Sequence, residues 1–297
     1  MTKQNILIKN LEGLNKSIFF RTMIAPLEPQ IIKQEVVQSE HFIDSDIIVE
    51  FLENRTYLPE FDYIGYEVKT VDRVNAVYLM INPDPLNLDY VPKNSLVICH
   101  HKISTHNNRI YKKMLDHARN SKFNIYNFHL GWDIMEGGIL DSFLFDFGLS
   151  HHDFEKVDLT YRGYLIPQLG AIFKKRLTME DIINRLYMMN VQLSVIINPQ
   201  CKASKVGYIP GGGFVDDMVI EMADLGVDVL ISSDHNWVVE TIAREERMTL
   251  IEIDHYRSER HGLRTMKNLL ENSFSNIPIN ILENVDGMER APCDCNS

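Results

Sequence analysis

The sequence lacks any apolar run that is long enough to cross a membrane. A spanning helix needs about 18 or more consecutive apolar residues, and polar or charged residues interrupt every hydrophobic stretch of this chain. The opening segment MTKQNILIKNLEGLNKSIFF has scattered charges and no continuous apolar core, which is not the pattern of a secretory signal. These absences predict a cytoplasmic protein that does not associate with membranes.

Cysteine is scarce, with four in 297 residues. Cys99 and Cys201 are far apart, and the spacing does not resemble a disulfide framework. Cys293 and Cys295 form a Cys-x-Cys pair, but two thiolates alone cannot complete a tetrahedral zinc site. We therefore expect a reducing compartment, and neither a structural cysteine–zinc site nor an iron–sulfur cluster.

Positive charge is also in short supply, since 30 Lys and Arg residues face 41 Asp and Glu residues and the formal net charge is −11. A chain of this balance repels phosphate backbones at long range, so nucleic-acid binding is not expected. The glycines at 211–213 are not followed by Gly-Lys-Ser/Thr, so they do not form a Walker-type loop. They predict either a tight strand-to-helix turn or a phosphate-binding turn.

The sequence does contain the apolar material of an ordinary globular protein, with 45% hydrophobic residues. Short apolar runs alternate with helical patterns, and this alternation predicts an α/β fold. Strands are predicted at residues 5–8, 74–81, 95–99, 123–128, 192–198, 229–232 and 250–253. Helices are predicted from Asp44 or Asp46 onward and at 107–120, 137–147, 179–188 and 215–224, whereas 151–170 is expected to be a looser segment.

The chain length suggests about two domains, and we predict two related α/β lobes that face each other. The predicted divisions are an N-terminal extension (1–45), a first lobe (46–150), a connecting segment that is part of the second lobe (151–205), the completion of the second lobe (206–284) and a disordered tail (285–297).

Side chains that can bind metals follow the predicted strands where those strands end. These residues are His100, His101, His129, Asp133, Asp234, His235, His255 and Glu259. In open α/β sheets, ligands bind outside the carboxyl ends of the strands. Each cluster alone also fits an ordinary surface pair or a salt bridge at a helix start. Together they provide the nitrogen and oxygen ligands that a divalent metal site requires, in the cleft between the lobes.

Three motifs resemble the Nif-three-like family, some of whose members are labelled GTP cyclohydrolase one, type two. They are ICHHK at 98–102, FHLGWDIMEGGILDSFLFDFGL at 128–149 and DHYRSERHGLRTMKNLL at 254–270. The resemblance runs from about Asp44 to Asn284 and includes the glycine-rich turn at 208–217 and the stretch at 232–246. Members of this family are cytoplasmic proteins that form toroidal hexamers and carry a dinuclear metal centre.

The resemblance implies a metal-ligand set in which His100 and His101 each serve one ion and Glu259 bridges both. It also implies Asp133 and His255 as ligands. A homohexamer with two divalent ions per chain is therefore expected. Histidine and carboxylate ligands accept iron, zinc, manganese or cobalt, so the residues do not name the metal.

Several positions depart from the usual motifs of that family. Lys102 replaces a proline, residues 129–133 read His-Leu-Gly-Trp-Asp instead of His-Thr-Asn-Leu-Asp, Asp254 replaces a glycine, and residues 232–234 replace Thr-Gly-Glu. All implied ligands are retained, so we expect metal binding to be retained. We expect Lys102 and Trp132 to lie at the rim of the site and to change which substrate fits.

Two divalent ions about 3.5–4 Å apart can activate a shared water and stabilise the charge that develops during its attack. His129, or Asp234 with His235, can then transfer protons. The predicted function is hydrolysis of a nucleotide or a related small molecule, at a phosphate ester or at a purine ring carbon. The alternative is a non-enzymatic, metal-dependent scaffold or metal carrier that forms a ring-shaped oligomer.

Overall fold

A computed structural model of the chain describes residues 39–103, 109–198 and 204–283. These residues form a mixed α/β fold with one five-stranded sheet, one six-stranded sheet and a small two-stranded pairing, which confirms the predicted fold class. The predicted strand at 5–8, most of the N-terminal extension, Cys201 and the tail at 285–297 with its two cysteines lie outside the described residues.

The strands are β1 (Ile43–Asp44), β2 (Gly65–Val68), β3 (Arg73–Val74), β4 (Ala76–Met80), β5 (Ser95–Cys99), β6 (Asn124–Asn127), β7 (Phe154–Tyr161), β8 (Tyr164–Phe173), β9 (Leu193–Ile197), β10 (Val206–Tyr208), β11 (Val229–Ser232), β12 (Thr249–Ile253) and β13 (Ile279–Ile281). The helices are α1 (Ser45–Glu53), α2 (Pro85–Leu88), α3 (Arg109–Ser121), α4 (His129–Ile134), α5 (Ile139–Asp146), α6 (Met179–Met188), α7 (Asp216–Asp224), α8 (Trp237–Glu245), α9 (His255–Glu259) and α10 (His261–Ser273).

The first sheet has the strand order β13-β4-β5-β6-β2, and only β2 runs antiparallel to its neighbour. Strands β4 and β5 are buried along their whole length, which explains why they are nearly continuous apolar runs. Val77 and Leu79 belong to the core under α1 and α10, whereas Tyr78 and Met80 belong to the core under α3. Since β4, β5 and β6 are parallel, the segments that follow them start at one edge of the sheet.

The second sheet has the order β7-β8-β10-β11-β12-β9. Strands β10, β11 and β12 are parallel, and the flanking strands pair antiparallel. The turn at 209–213, the segment at 233–236 and helix α9 therefore all begin at one edge of this sheet. The two sheets thus each offer three parallel strand ends from which polar side chains can emerge.

Most of the predicted elements are confirmed, with ends that differ by a few residues. Strand β5, helix α6 and strand β11 have the predicted bounds. The first helix begins at Ser45 because the Asp44 carboxylate accepts a hydrogen bond from the Asp46 backbone at 3.0 Å, which is an N-cap. Of the helix predicted at 107–120, residues 109 onward are described and are helical.

The prediction of a loose segment at 151–170 is wrong, because β7 and β8 form a long antiparallel hairpin there. Tyr161 pairs with Tyr164, and the two-residue loop at Arg162 and Gly163 has positive φ angles of 54° and 82°. Positive φ at both central residues is the type I′ geometry that suits a hairpin. A register shift between Val157 and Leu159 breaks the apolar alternation that would have revealed the strand.

The last elements that the structure describes, α10 and β13, return to the first sheet. Strand β13 pairs with β4, and Leu263, Met266 and Leu270 of α10 pack in the same core as Val77 and Leu79. The division of the chain into two lobes stays a prediction, and any such division has to place residues 261–281 with the first sheet. Within the described part of the chain, no helix has the length and apolar character that crossing a membrane requires.

Candidate metal centre

Side chains from the carboxyl ends of both sheets converge around the carboxylate of Glu259. His100 Nε2 lies 3.3 Å from Glu259 Oε1, and His255 Nε2 lies 2.9 Å from the same oxygen. His101 Nε2 lies 3.6 Å from Oε2. Glu259 is the last residue of α9, which follows the second sheet, whereas His100 and His101 follow the first sheet. One carboxylate therefore contacts histidines from both sheets.

Three overlapping groups of side chains have ligand atoms within 4.8 Å of one another. They are His100 with His101 and His129, His101 with His255 and Glu259, and His100 with Asp133 and Glu259. The last two groups share Glu259 and no other residue. A carboxylate has two oxygens and can bind one ion through each, so this arrangement offers two neighbouring ligand sets around a common carboxylate.

The two adjacent histidines reach the same site because the strand ends immediately before them. Successive side chains of a continuous strand point to opposite faces. Strand β5 ends at Cys99, and the backbone N–H groups of His100 and His101 donate to Met80 and Ile81 carbonyls at 3.0 and 2.9 Å. The centroids of the two imidazole rings are only 4.5 Å apart. The end of the strand thus makes a pair of adjacent ligands feasible.

The site has a buried floor and an exposed side. The floor consists of His100, Asp133 and Glu259, whose side chains are 1%, 7% and 1% exposed. The exposed side consists of His101, His129 and His255, whose side chains are 25%, 29% and 29% exposed. Among these six side chains, the three histidines of the exposed side are therefore the ones that a small molecule can reach.

Three of the histidines are held by a second residue through Nδ1. Asn82 contacts His101 Nδ1 at 2.6 Å, Asp234 contacts His255 Nδ1 at 2.6 Å, and Asp62 contacts His129 Nδ1 at 2.9 Å. Such partners fix the ring orientation of a metal-binding histidine and leave Nε2 for the metal. Asn82 lies just beyond the end of β4, so the rule that site residues follow strand ends could have found it. Asp62 lies in a loop that no sequence pattern singled out.

The two residues proposed with His129 for proton transfer lie in different surroundings. Asp234 contacts His255, so the structure places it beside the centre. His235 instead pairs with Glu252 at 2.7 Å and with Glu240 at 3.2 Å, and it belongs to none of the three ligand groups found among the described residues. Two glutamates that no sequence pattern singled out therefore hold His235, and it does not join the three ligand groups.

The prediction that Trp132 lies at the rim of the site is wrong, because its side chain is fully buried. Its ring meets the His100 ring edge-on at 6.0 Å. Gly262 makes room for it, since a Cβ there would lie 3.2 Å from Trp132 Nε1 and 2.6 Å from a side-chain carbon of Ile139. Trp132 therefore packs behind the floor, whereas Lys102, next to His101, is exposed and its effect on the substrate stays a prediction.

The floor carries buried acceptor atoms that suit a cation. Asp133 Oδ1 and Glu259 Oε2 are buried and have no hydrogen-bond partner among the described residues. An unpaired buried polar atom costs about 1–3 kcal/mol, and more when it is charged, against a total stability of about 5–15 kcal/mol. A divalent cation would pair with both oxygens, and imidazole with carboxylate is a ligand set that such ions accept. The donor atoms present thus fit a metal ion.

Without a metal, the pKa values of the side chains in the site are shifted in different directions. Burial lowers the pKa of His101 to about 3, so this ring is neutral at pH 7. Burial also disfavours protonation of His255, but the hydrogen bonds with Asp234 and Glu259 outweigh it and raise the pKa of His255 to about 10. Burial alone would raise the pKa of Glu259, yet His100 and His101 hold it well below the usual range. At neutral pH, a proton therefore occupies His255 where a metal would bind.

We expect metal affinity to rise with pH, because a metal must displace that proton. Below a pKa of about 10 the His255 ring is protonated, so between pH 6.5 and pH 9 each displaced proton strengthens apparent binding about tenfold per pH unit. Calorimetric zinc titrations in two buffers with different ionisation enthalpies measure the protons released. Asp234→Asn removes part of the cause of the raised pKa and should release fewer protons. Affinity that stays constant over this range would contradict the expectation.

Comparison with known proteins places the chain in a family. Residues 45–286 match the family described as Duf34/NIF3 (NGG1p interacting factor 3). A relative from Methanothermobacter thermautotrophicus, named GTP cyclohydrolase 1 type 2 homolog, is 26% identical over 146 residues, which is 48% of this chain. The matched part spans only 58% of that relative's length.

Solved structures share the fold at low sequence identity. Reduced HcgD from Methanocaldococcus jannaschii superimposes with a TM-score of 0.67 at 19% identity, covering 84% of this chain and 99% of its own. A hypothetical protein from Staphylococcus aureus gives 0.69 at 16% identity, covering 84% and 99%. A Bacillus cereus protein related to NIF3 gives 0.66 at 13% identity, covering 81% and 96%. Since the family match covers most of the sequence, the chain belongs to the Duf34/NIF3 (NGG1p interacting factor 3) family.

Proposed function

We propose that this protein binds two divalent metal ions and hydrolyses a nucleotide or a related small molecule with their help. One ion would be held by His100 and Asp133, the other by His101 and His255, and Glu259 would bridge them. The observation that carries this proposal is that two groups of ligand atoms share Glu259 and no other residue. Iron, zinc, manganese and cobalt all suit these ligands.

When bound, two such ions lower the pKa of a shared water and stabilise the negative charge that builds up during its attack. The residues of the chain supply the rest. The floor holds the carboxylates in fixed positions, and Asp234 orients His255 through Nδ1. His129 faces the paired histidines, with its ring centroid 5.0 Å from that of His100 and 5.6 Å from that of His101. From there it can accept a proton from the attacking water.

The exposed histidine side supports hydrolysis over a purely structural role. Structural metal sites are usually closed by protein ligands on all sides, whereas catalytic sites keep a position open for water or substrate. Three of the side chains around this centre are about one quarter exposed, and the His101 ring lies 5.6 Å from that of His129 and 5.1 Å from that of His255. The name of the relative from Methanothermobacter thermautotrophicus, a GTP cyclohydrolase homolog, supports a nucleotide as the substrate class.

A metal-dependent scaffold or metal carrier is the second candidate function. It is favoured by the position of Glu259, whose carboxylate joins histidines that follow different sheets. Ions held there would tie the two sheets together, and metal binding would then contribute to folding. The three parallel strands of each sheet also support two related lobes with the site in the cleft between them. A ring-shaped homohexamer in the cytoplasm remains part of both proposals.

The two candidates differ in turnover. We expect the metal-loaded protein to release product from a nucleotide, and His129→Gln to lower kcat about 100- to 10,000-fold, the usual contribution of a general base. Elemental analysis should show that the variant keeps its metal, and His117→Gln, at a surface histidine of α3, should keep full activity. Absence of turnover from a panel of nucleotides with each of the four metals would favour the scaffold. Full activity of His129→Gln would exclude His129 as the base.

A further inference from the structure

Asp62 is a partly buried carboxylate that connects His129 to the loop before β2. Its side chain is 12% exposed, with one oxygen 2.9 Å from His129 Nδ1 and the other accepting the Leu130 backbone N–H at 2.9 Å. The loop that carries it is pinned on both sides. Phe61 stacks on Tyr164 of the β7–β8 hairpin at 4.6 Å, and the Tyr63 hydroxyl donates to the Tyr66 carbonyl at 3.1 Å.

The carboxylate determines which nitrogen of His129 carries the proton. An ionised carboxylate only accepts hydrogen bonds, so His129 Nδ1 must be the N–H donor, and Nε2 of the neutral ring is left with its lone pair. Leu130 N–H occupies the second oxygen of Asp62, which prevents the carboxylate from turning away from the ring. The ring itself stands beside His100 and His101. The lone pair of His129 is therefore fixed in place before any substrate arrives.

We propose that Asp62 is the positioning residue of His129, which it holds in the Nδ1–H form so that Nε2 accepts the proton of the attacking water. The proton leaves the water oxygen for Nε2, and the Asp62 carboxylate balances the imidazolium charge that results. The proton transfer from water rests on the proposed hydrolysis. The assignment of the Nδ1–H tautomer to His129 does not depend on it. No sequence motif contains Asp62, because the contact joins residues from separate elements of the fold.

Asp62→Asn tests this proposal directly, because the new amide can form hydrogen bonds with both His129 and the Leu130 N–H in only one orientation. The Leu130 N–H needs an acceptor, so the amide oxygen takes the place of Oδ2. The amide nitrogen then faces His129 Nδ1 and can only donate to it. His129 must therefore switch to the Nε2–H form, and its lone pair turns away from the metal centre with almost no change in shape.

The tautomer can be read in the metal-free, full-length chain by long-range proton–nitrogen correlation of ¹⁵N-labelled histidine. Among the 11 histidines, the signals of His129 are those that His129→Gln removes. In the wild type we expect Nε2 to resonate as a bare imine nitrogen, well downfield of Nδ1–H. In Asp62→Asn the two positions should exchange. Asp158→Asn, which replaces an exposed carboxylate that accepts the Gln168 N–H, should leave the spectrum of His129 unchanged.

The outcomes separate this proposal from the proposed function. An Nε2–H signal in the wild type would overturn it without any variant, as would an unchanged tautomer in a folded Asp62→Asn. If the tautomer reverses and kcat falls at least tenfold with KM and metal content kept, the proposal is supported. If it reverses and kcat is unchanged, the catalytic part is overturned while hydrolysis stands. If the wild type shows no turnover, hydrolysis fails, and a reversed tautomer still supports Asp62 as the residue that positions His129.

Discussion

Glu259→Gln is expected to remove both metal ions from the protein. Glutamine has the shape of glutamate, but it is neutral and offers one oxygen, so it cannot bridge two cations. The loss of metal affinity should exceed the roughly 10- to 100-fold drop that is typical when a residue hydrogen-bonded to a metal ligand is removed. Elemental analysis of protein purified without chelators should give about two ions per chain for the wild type, as a dinuclear site requires, and fewer than one for the variant.

The matched control is Glu221→Gln on α7. Glu221 accepts the backbone N–H of Thr160 at 2.7 Å, so this substitution also neutralises a hydrogen-bonded glutamate, but away from the three ligand groups. It should keep both ions. If Glu259→Gln also keeps both ions, the two ligand sets do not depend on a shared carboxylate. If the wild type takes up no metal even on titration, the dinuclear centre itself is wrong.

Part of the candidate site could be predicted from the sequence because strand ends are a local property. His100, His255 and Asp234 each come shortly after a short apolar run, and parallel strands that end together bring such residues to one edge of a sheet. The identification of His101 needed more than a strand end. Adjacent residues point apart in a continuous strand, and only the structure shows that the two rings lie together, with centroids 4.5 Å apart.

What could not be predicted depends on contacts between residues that are distant in sequence. Asp62 and Asn82 matter only because each lies against the Nδ1 of a histidine from another segment. Trp132 looked like a residue of the rim because nothing near it in the sequence shows the space that Gly262 provides behind it. His235 shares its strand-end position with Asp234, but two glutamates from neighbouring elements hold it elsewhere. Strand ends thus indicate where side chains emerge, and tertiary packing decides where they point.

Gly211→Ala should disable the metal centre through the backbone. Gly211 follows β10, has a φ of 57°, and lies so close to the ligands that an added Cβ would overlap Glu259 Oε1 and lie 3.1 Å from His255 Nε2. The methyl group must therefore displace the shared carboxylate or move the turn away from it. We expect the variant to lose at least about 100-fold in zinc affinity, as for a direct ligand rather than an outer partner. Zinc titration followed by elemental analysis measures this loss.

Gly163→Ala is the control for Gly211→Ala, because it separates the effect of a Cβ that crowds the site from the effect of backbone strain. Gly163 also has a positive φ, 82°, but nothing lies within 4 Å of the position of its Cβ. Both variants pay about 1–2 kcal/mol for a left-handed alanine, which urea unfolding of the metal-free proteins measures. Gly163→Ala should show this destabilisation with normal zinc binding. If Gly211→Ala is likewise destabilised but binds zinc normally, the turn after β10 has no part in shaping the site. If it alone loses zinc, this glycine is needed because it leaves the Glu259 carboxylate the space to face both ligand groups.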